Sequence, residues 1–266
     1  MSRLRAQFSR ELRAAGLPSG PGPVSPVAES DVATLPRAVQ RYLRFMGVVG
    51  RPRDWSFRAG WKGRFRLAPG KRWMALEAWQ YDTRLELARL FYMRLRFFGL
   101  LPVLGRDTYR DGRGRMLVRP LDLFTVQDGS GPEFDSGELV TYLNDCILVA
   151  PALLLGPEAR WIAVDDESFD VALSDRFHTV RARVLVDEHG APRDFTTTDR
   201  FSQDPRDTKR FVRTRWSTPV AGWQMVGGRP LATSGKAVWH VPAGDFAYAE
   251  MSFIDGSVAF NVAPGD

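Results

Sequence analysis

The 266-residue chain carries 37 Lys and Arg against 31 Asp and Glu, a formal charge of +6, with 44% hydrophobic and 26% charged residues. That balance suits a globular chain long enough to bury a core without staples, and excludes a disordered or fibrous one. One cysteine, Cys146, excludes an intrachain disulfide, and no run of about 18 apolar residues marks a membrane-spanning helix.

The start, "MSRLRAQFSRELRAAGLPSG", is basic but lacks the apolar stretch of a secretory signal. With the lone cysteine, this places the protein in the cytoplasm. Residues 2–15 read as a short amphipathic helix, with Leu4, Phe8 and Leu12 four apart. It can pack on the domain or make a weak contact with an anionic membrane surface. "GLPSGPGPVSP" (16–26) is a flexible linker. Residues 1–30 therefore stand as helix and linker, and 31–266 as a single β-rich domain. A second helix is expected over 35–47, where Pro36 suits a first turn and Gly47 a C-terminal cap.

From Trp55 the period becomes two. In "DWSFRAGWKGRFRL" Trp55, Phe57, Trp61 and Phe65 fall on one parity, and Arg58, Lys62, Arg64 and Arg66 on the other. This strand and the next meet at "APGK", and further strands lie in "LFYMRLRFFG" and on both sides of Asp111-Gly112. "DSGELVTYLNDCILVAPALLLGP" (135–157) then reads as the clearest helix, capped at Ser136 and broken at Pro151. Leu139, Leu143 and Ile147 form its apolar stripe, while Glu138, Thr141, Tyr142 and Asp145 share a polar side. Seven more strand-like segments follow, from "SFDVAL" to "FAYAEMSFI". The fold class is thus mainly β with a few helices. A large curved antiparallel sheet forms a half-barrel or barrel, with the 136–155 helix packed across it.

Chemical motifs are sparse. A phosphate-binding loop, a dinucleotide fingerprint and a nucleophile elbow are absent, and the three histidines are far apart. No metal and no cofactor are expected. The cationic strip from Arg58 to Arg66 argues weakly for nucleic acid, because the aromatics of that strand point the other way. Single-strand binders need stacking rings beside the basic groove, so no nucleic-acid partner is expected.

Carboxylates that share parity with large aromatics are more informative. Glu77 falls with Trp79 and Tyr81, Asp199 with Phe195 and Phe201, and Glu250 with Phe246 and Tyr248. Turned inward, such acids would sit in a low-dielectric setting and could act as general acids or bases. Asp145 reaches the same interior if the helix plugs the sheet. Eight tryptophans and 17 phenylalanines suggest an aromatic-lined cavity, with Trp61, Trp79, Tyr81, Tyr142, Arg200 and Trp216 as ligand-binding candidates.

On "LPRAVQRYL" (35–43), "GRDTYRDGRGRML" (105–117), "GPEFDSGELVTYLND" (131–145) and "TTDRF" (197–201), the chain resembles a large bacterial family of unknown function. The resemblance runs from about Leu35 to Val262. It implies no reaction and no catalytic residue. That family usually carries glutamate where this chain has Asp145, and some members begin with membrane segments. The strand-rich, helix-plugged pattern is also similar to Lol-type lipoprotein-carrier half-barrels, a likeness of fold alone. The expected function is binding of a hydrophobic or amphipathic small molecule. The alternative is a cofactor-independent isomerase, cyclase or hydrolase acting through Glu77, Asp145, Asp199 or Glu250.

Overall fold

The structure of the chain, a computed structural model, describes residues 2–22, 24–204 and 206–264. Helix α1 (Arg3–Ala14) is capped by Ser2, whose hydroxyl accepts from the Arg5 amide at 3.1 Å. Its apolar stripe, Leu4, Phe8 and Leu12, is buried. The following segment is pinned where Val27 exchanges backbone hydrogen bonds with Gly50 and Arg51, both 2.8 Å. Two short helices, α2 (Glu29–Val32) and α3 (Arg37–Phe45), lead into the sheet. Pro36 is the residue before α3, and Gly47 adopts φ +66° just beyond its end.

A meander of six strands comes next: β1 (Ser56–Phe65), β2 (Met74–Thr83), β3 (Ala88–Phe97), β4 (Leu101–Arg110), β5 (Arg113–Pro120) and β6 (Gln127–Ser130). Helix α4 (Pro132–Val149) interrupts it, followed by a 3-10 turn at Pro151–Leu154. Four strands then return: β7 (Ala159–Ala163), β8 (Ser168–Asp175), β9 (His178–Val186) and β10 (Pro192–Thr197). A separate hairpin joins β11 (Phe201–Asp204) to β12 (Asp207–Arg213). The chain ends with β13 (Trp216–Ser217), β14 (Val220–Val226), β15 (Arg229–Val241), β16 (Gly244–Phe253) and β17 (Ala259–Phe260).

Fifteen of these strands form one antiparallel sheet, ordered β6-β5-β4-β3-β2-β1-β16-β15-β13-β10-β9-β8-β7, with β14 on β15 and β17 on β1. β6 and β7 end the order and do not pair with each other, so the sheet is curved and is not a closed barrel. α4 starts at Pro132, four residues before the expected Ser136, because Pro132 suits a first turn and Gly131 supplies φ +110° ahead of it. It stops at Val149, just short of Pro151. The helix lies in the concavity, and Leu139, Leu143 and Ile147 join Phe57, Phe169 and Phe195 in the main core.

Register decides which side chains enter that concavity. Trp61 is opposite Ala78, and Gly60 is opposite Trp79. The odd residues of β1 therefore share the inner face with the even residues of β2. Trp79 and Tyr81 point outward, where α1 covers them together with Leu90 and Tyr92. Phe8 meets the Tyr92 ring edge-on at 5.4 Å, and the Arg5 guanidinium lies 4.5 Å from the Trp79 ring. The apolar face of residues 2–15 is thus occupied by the sheet.

The centre of the sheet is tied by a buried ion pair. Arg229 at the start of β15 grips Asp54, just before β1, through two bonds of 2.6 and 2.7 Å. Arg229→Met alone should destabilise the protein by about 3–5 kcal/mol, because Asp54 is left buried without its partner. Urea unfolding of that variant and of Arg229→Met with Asp54→Leu checks this. The double change should recover most of the loss, whereas an equal loss in both would assign the effect to packing.

Candidate functional site

The concave face has two zones, and both can be traced along adjacent strands. From the α4 end outward, β3 presents Arg89, Phe91, Met93, Leu95 and Phe97. Beside it β4 presents Asp107, Gly105, Val103 and Leu101, since Phe91 is opposite Asp107 and Leu95 opposite Val103. β2 on the other side presents Asp82, Gln80, Ala78, Leu76 and Met74. Charged and amide groups thus cluster at one end of each row, and aliphatic and aromatic groups fill the rest. The unfilled space between them is a cavity of about 1660 Å³. Trp61, Trp216, Trp239 and Tyr248 form one wall, and the β11–β12 hairpin contributes Phe201 and Phe211.

The floor is built by α4 against the sheet. Glu138, Thr141 and Asp145 face it at helical spacing. Arg89 donates from Nε to Asp145 at 2.7 Å and from Nη1 to Glu138 at 3.1 Å. Gln80 donates to Asp145 at 2.7 Å and to both oxygens of Asp82 at 3.1 Å, and accepts from Trp61 Nε1 at 2.8 Å. Asn144 donates to Asp145 at 3.3 Å and accepts from the Thr218 hydroxyl.

Four carboxylates, Asp82, Asp107, Glu138 and Asp145, thus surround Arg89, with Arg200 as the other nearby cation. Two guanidinium charges cannot neutralise four buried carboxylates, so protons make up the difference. Burial, followed by the Asp107 charge, pushes Glu138 up to about 8. Burial pushes Asp107 up to about 6 against the pull of Arg89 and Arg200. Asp82 is raised by burial and then by Asp145. A protonated Glu138 still accepts from Arg89 through its carbonyl oxygen. The Arg200 guanidinium lies 4.4 Å from the Trp216 ring and 5.5 Å from that of Trp239. Its Nε and Asp107 Oδ1 are polar atoms with no protein hydrogen-bond partner.

Among the sequence candidates, Trp61, Asp145, Arg200 and Trp216 line this cavity. The others lie elsewhere. Glu77 is on the outer face with Trp79 and Tyr81, bonded to Arg94 at 2.5 Å and to the Ser2 hydroxyl. Glu250 is also outward, paired with Arg64 at 2.6 Å. A bulge explains that misplacement. Ala237 is opposite Ala249 but Val238 is opposite Ala247, so Tyr248 is an extra residue and the parity inverts beyond it. Asp199 lies past the end of β10, held by the Arg181 amide at 2.9 Å and by Arg213 at 2.5 Å. Tyr142 is buried on another side of α4, where its hydroxyl donates to the Thr83 carbonyl at 3.2 Å. It borders a separate cleft of about 250 Å³.

The floor residues missed in the sequence are Gln80, Asp82, Arg89, Asp107 and the site role of Glu138. A signal was present: Arg89 occupies the parity of Phe91, Met93, Leu95 and Phe97, a cation in an otherwise apolar row. The outward cations Lys62 and Arg64 of β1 are engaged locally, Lys62 approaching Asp255 at 3.9 Å and Arg64 stacking on Trp73 at 4.5 Å, and Arg66, just past the strand, stacks on the same ring at 4.6 Å. Among the described residues, no helix is long and apolar enough to cross a membrane, and no cluster of His, Cys, Asp or Glu is arranged to hold a metal ion.

Solved structures similar to this chain include the following two. One is a LolA superfamily protein from Nitrosomonas europaea, 12% identical, with 87% of this chain and 93% of that one covered at a TM-score of 0.42. The other is a DUF1329 family protein from Desulfovibrio piger, 11% identical, with 84% and 91% covered at a TM-score of 0.45. No curated protein matches the chain. The profile of DUF6544 matches residues 25–251, which takes in α4 and every floor residue named above. The chain therefore belongs to DUF6544, a family of unknown function.

Proposed function

We propose that the protein binds a hydrophobic or amphipathic small molecule in this cavity, with an apolar tail along the strands and any polar end at the floor. The two-zone lining carries the reading. Phe91 and Phe97 are six residue rises apart on the strand, about 20 Å at roughly 3.3 Å per residue. That exceeds the ~15 Å hydrocarbon depth of one bilayer leaflet, so the apolar zone accommodates a lipid-length chain. At the floor, the unpartnered Arg200 Nε and Asp107 Oδ1 offer a donor and an acceptor to a polar group. On the strength of the single cysteine we place the protein in the cytoplasm.

Each methylene withdrawn from water contributes about 0.8 kcal/mol. Affinity for a homologous series of straight-chain alcohols should therefore rise about fourfold per carbon. The rise should stop when the chain outgrows the apolar zone. Met93→Trp, which places bulk midway along that zone, should move this break to shorter chains and weaken the longest ligand about tenfold. Displacement of an environment-sensitive dye measures both. Affinity independent of chain length would overturn the reading.

A second reading follows from the raised acids. Glu138, raised to about 8, keeps its proton at neutral pH beside an apolar space, as a general acid requires, and Asp107, raised to about 6, is placed to take up a proton as its base partner. The cofactor-independent enzyme would then use these two, with Asp145 fixing Arg89. It predicts that a bound molecule is recovered chemically altered, and that Glu138→Gln or Asp107→Asn stops the change while leaving affinity within a few-fold.

The same acids set the pH dependence of folding. Glu138 ordinarily titrates near 4.5 and is raised to about 8 in the fold. The native state then holds this proton more tightly than the unfolded chain, so the Glu138 contribution costs stability as pH climbs from about 4.5 to about 8. Glu138→Gln removes the titrating group. Its stability relative to wild type should improve across that window by roughly 5 kcal/mol. Urea unfolding at several pH values checks this, and parallel profiles for the two proteins would contradict it.

A further inference from the structure

The exposed apolar side chains are not scattered. Of the 13 large hydrophobics exposed among the described residues, nine fall at positions 67, 97–101 and 121–126. These are the turns after β1, β3 and β5. In an antiparallel meander alternate turns lie at the same end of the sheet, so the three form one edge. It is the apolar end of the cavity, opposite the charged floor. Phe98, Leu100, Leu123 and Phe124 are 76%, 86%, 67% and 65% exposed. Leu67, Phe97, Leu101, Leu121 and Val126 are exposed and also line the cavity. The apolar interior thus continues to the outer surface without a polar break. A soluble monomer rarely leaves so much contiguous apolar surface without a partner.

Charge says what the partner is. Arg66, Lys71 and Arg72 lie within the turn after β1, with no acid between residues 66 and 72, and Arg96 adds a cation at the end of β3. Lys71, Arg72 and Arg96 are exposed. The nearby acid Asp122 is paired with Arg119 at 3.0 Å. The occupant must therefore accept apolar tips from three separate turns, present anions beside them, and meet an opening onto an apolar interior.

We propose that this edge docks on a lipid bilayer carrying anionic headgroups. The turn tips enter the acyl region, Lys71, Arg72 and Arg96 meet the headgroups, and the cavity mouth opens against the membrane. Docking stands on the edge itself; passage of a ligand between bilayer and cavity rests on the binding function proposed above.

Sedimentation of the full chain with phosphatidylcholine vesicles, with and without phosphatidylglycerol, tests it. Wild type should sediment with the anionic vesicles and less with the neutral ones. Phe98→Ser, Leu100→Ser, Leu123→Ser and Phe124→Ser combined should lower the bound fraction about tenfold, with dye uptake by the cavity unchanged. Lys71→Glu with Arg72→Glu should erase the preference for anionic vesicles. A fluorophore at Leu100→Cys, with Cys146 buried, should shift to the blue on vesicles. Wild type left in the supernatant, equal sedimentation of the serine variant, an unshifted fluorophore, or a dimer that the serine changes dissociate would each overturn the proposal. Loss of dye uptake with docking intact would instead count against the binding function alone.

Discussion

Arg89 is the interaction on which the rest of the interior depends. A guanidinium with all its donors buried must find acceptors nearby. It finds them on α4, in Glu138 and Asp145. The helix is thereby held across one half of the concave sheet, where its apolar side also closes the main core. The other half is left to Phe91, Met93, Leu95 and their neighbours, which are too few to fill it. The charged floor and the empty apolar zone are two results of the same placement.

The excess of acid around Arg89 also has a reason within this frame. A single guanidinium between two carboxylates satisfies geometry, but Asp82 and Asp107 add negative charge from the neighbouring strands. Protonation relieves the excess, so the floor carries hydroxyl donors as well as fixed charges.

Much of the architecture was legible. Period-two runs marked the long strands, Pro69-Gly70 and Asp111-Gly112 marked turns, and Pro151 marked the end of the central helix. The inner face of β1, with Trp61 and Phe65, could also be read. Parity within one strand, however, does not say which face is inner. Trp79 and Tyr81 look like core and are buried, yet their cover is α1 on the outside. The N-terminal helix, expected either to pack on the domain or to touch a membrane surface, supplied a second apolar layer on the outside, and two buried faces on one strand defeat the alternation rule. The Tyr248 bulge defeated it differently, by inverting parity within a strand that reads as continuous. Gln80, Asp82, Arg89 and Asp107 form a site only through the register of three strands, which no single segment encodes.

The open edges at β6 and β7 give the sheet a property that a ring of strands lacks. In a closed barrel, strand number and stagger fix the circumference, and widening it means breaking ladder hydrogen bonds. Here the circumference stops at two edges that never pair with each other. The girth is governed by side-chain packing around α4, which yields in small steps. Under the binding function proposed above, such an interior would select by length and polarity and be comparatively indifferent to thickness, so that branched, unsaturated or paired chains would share one container.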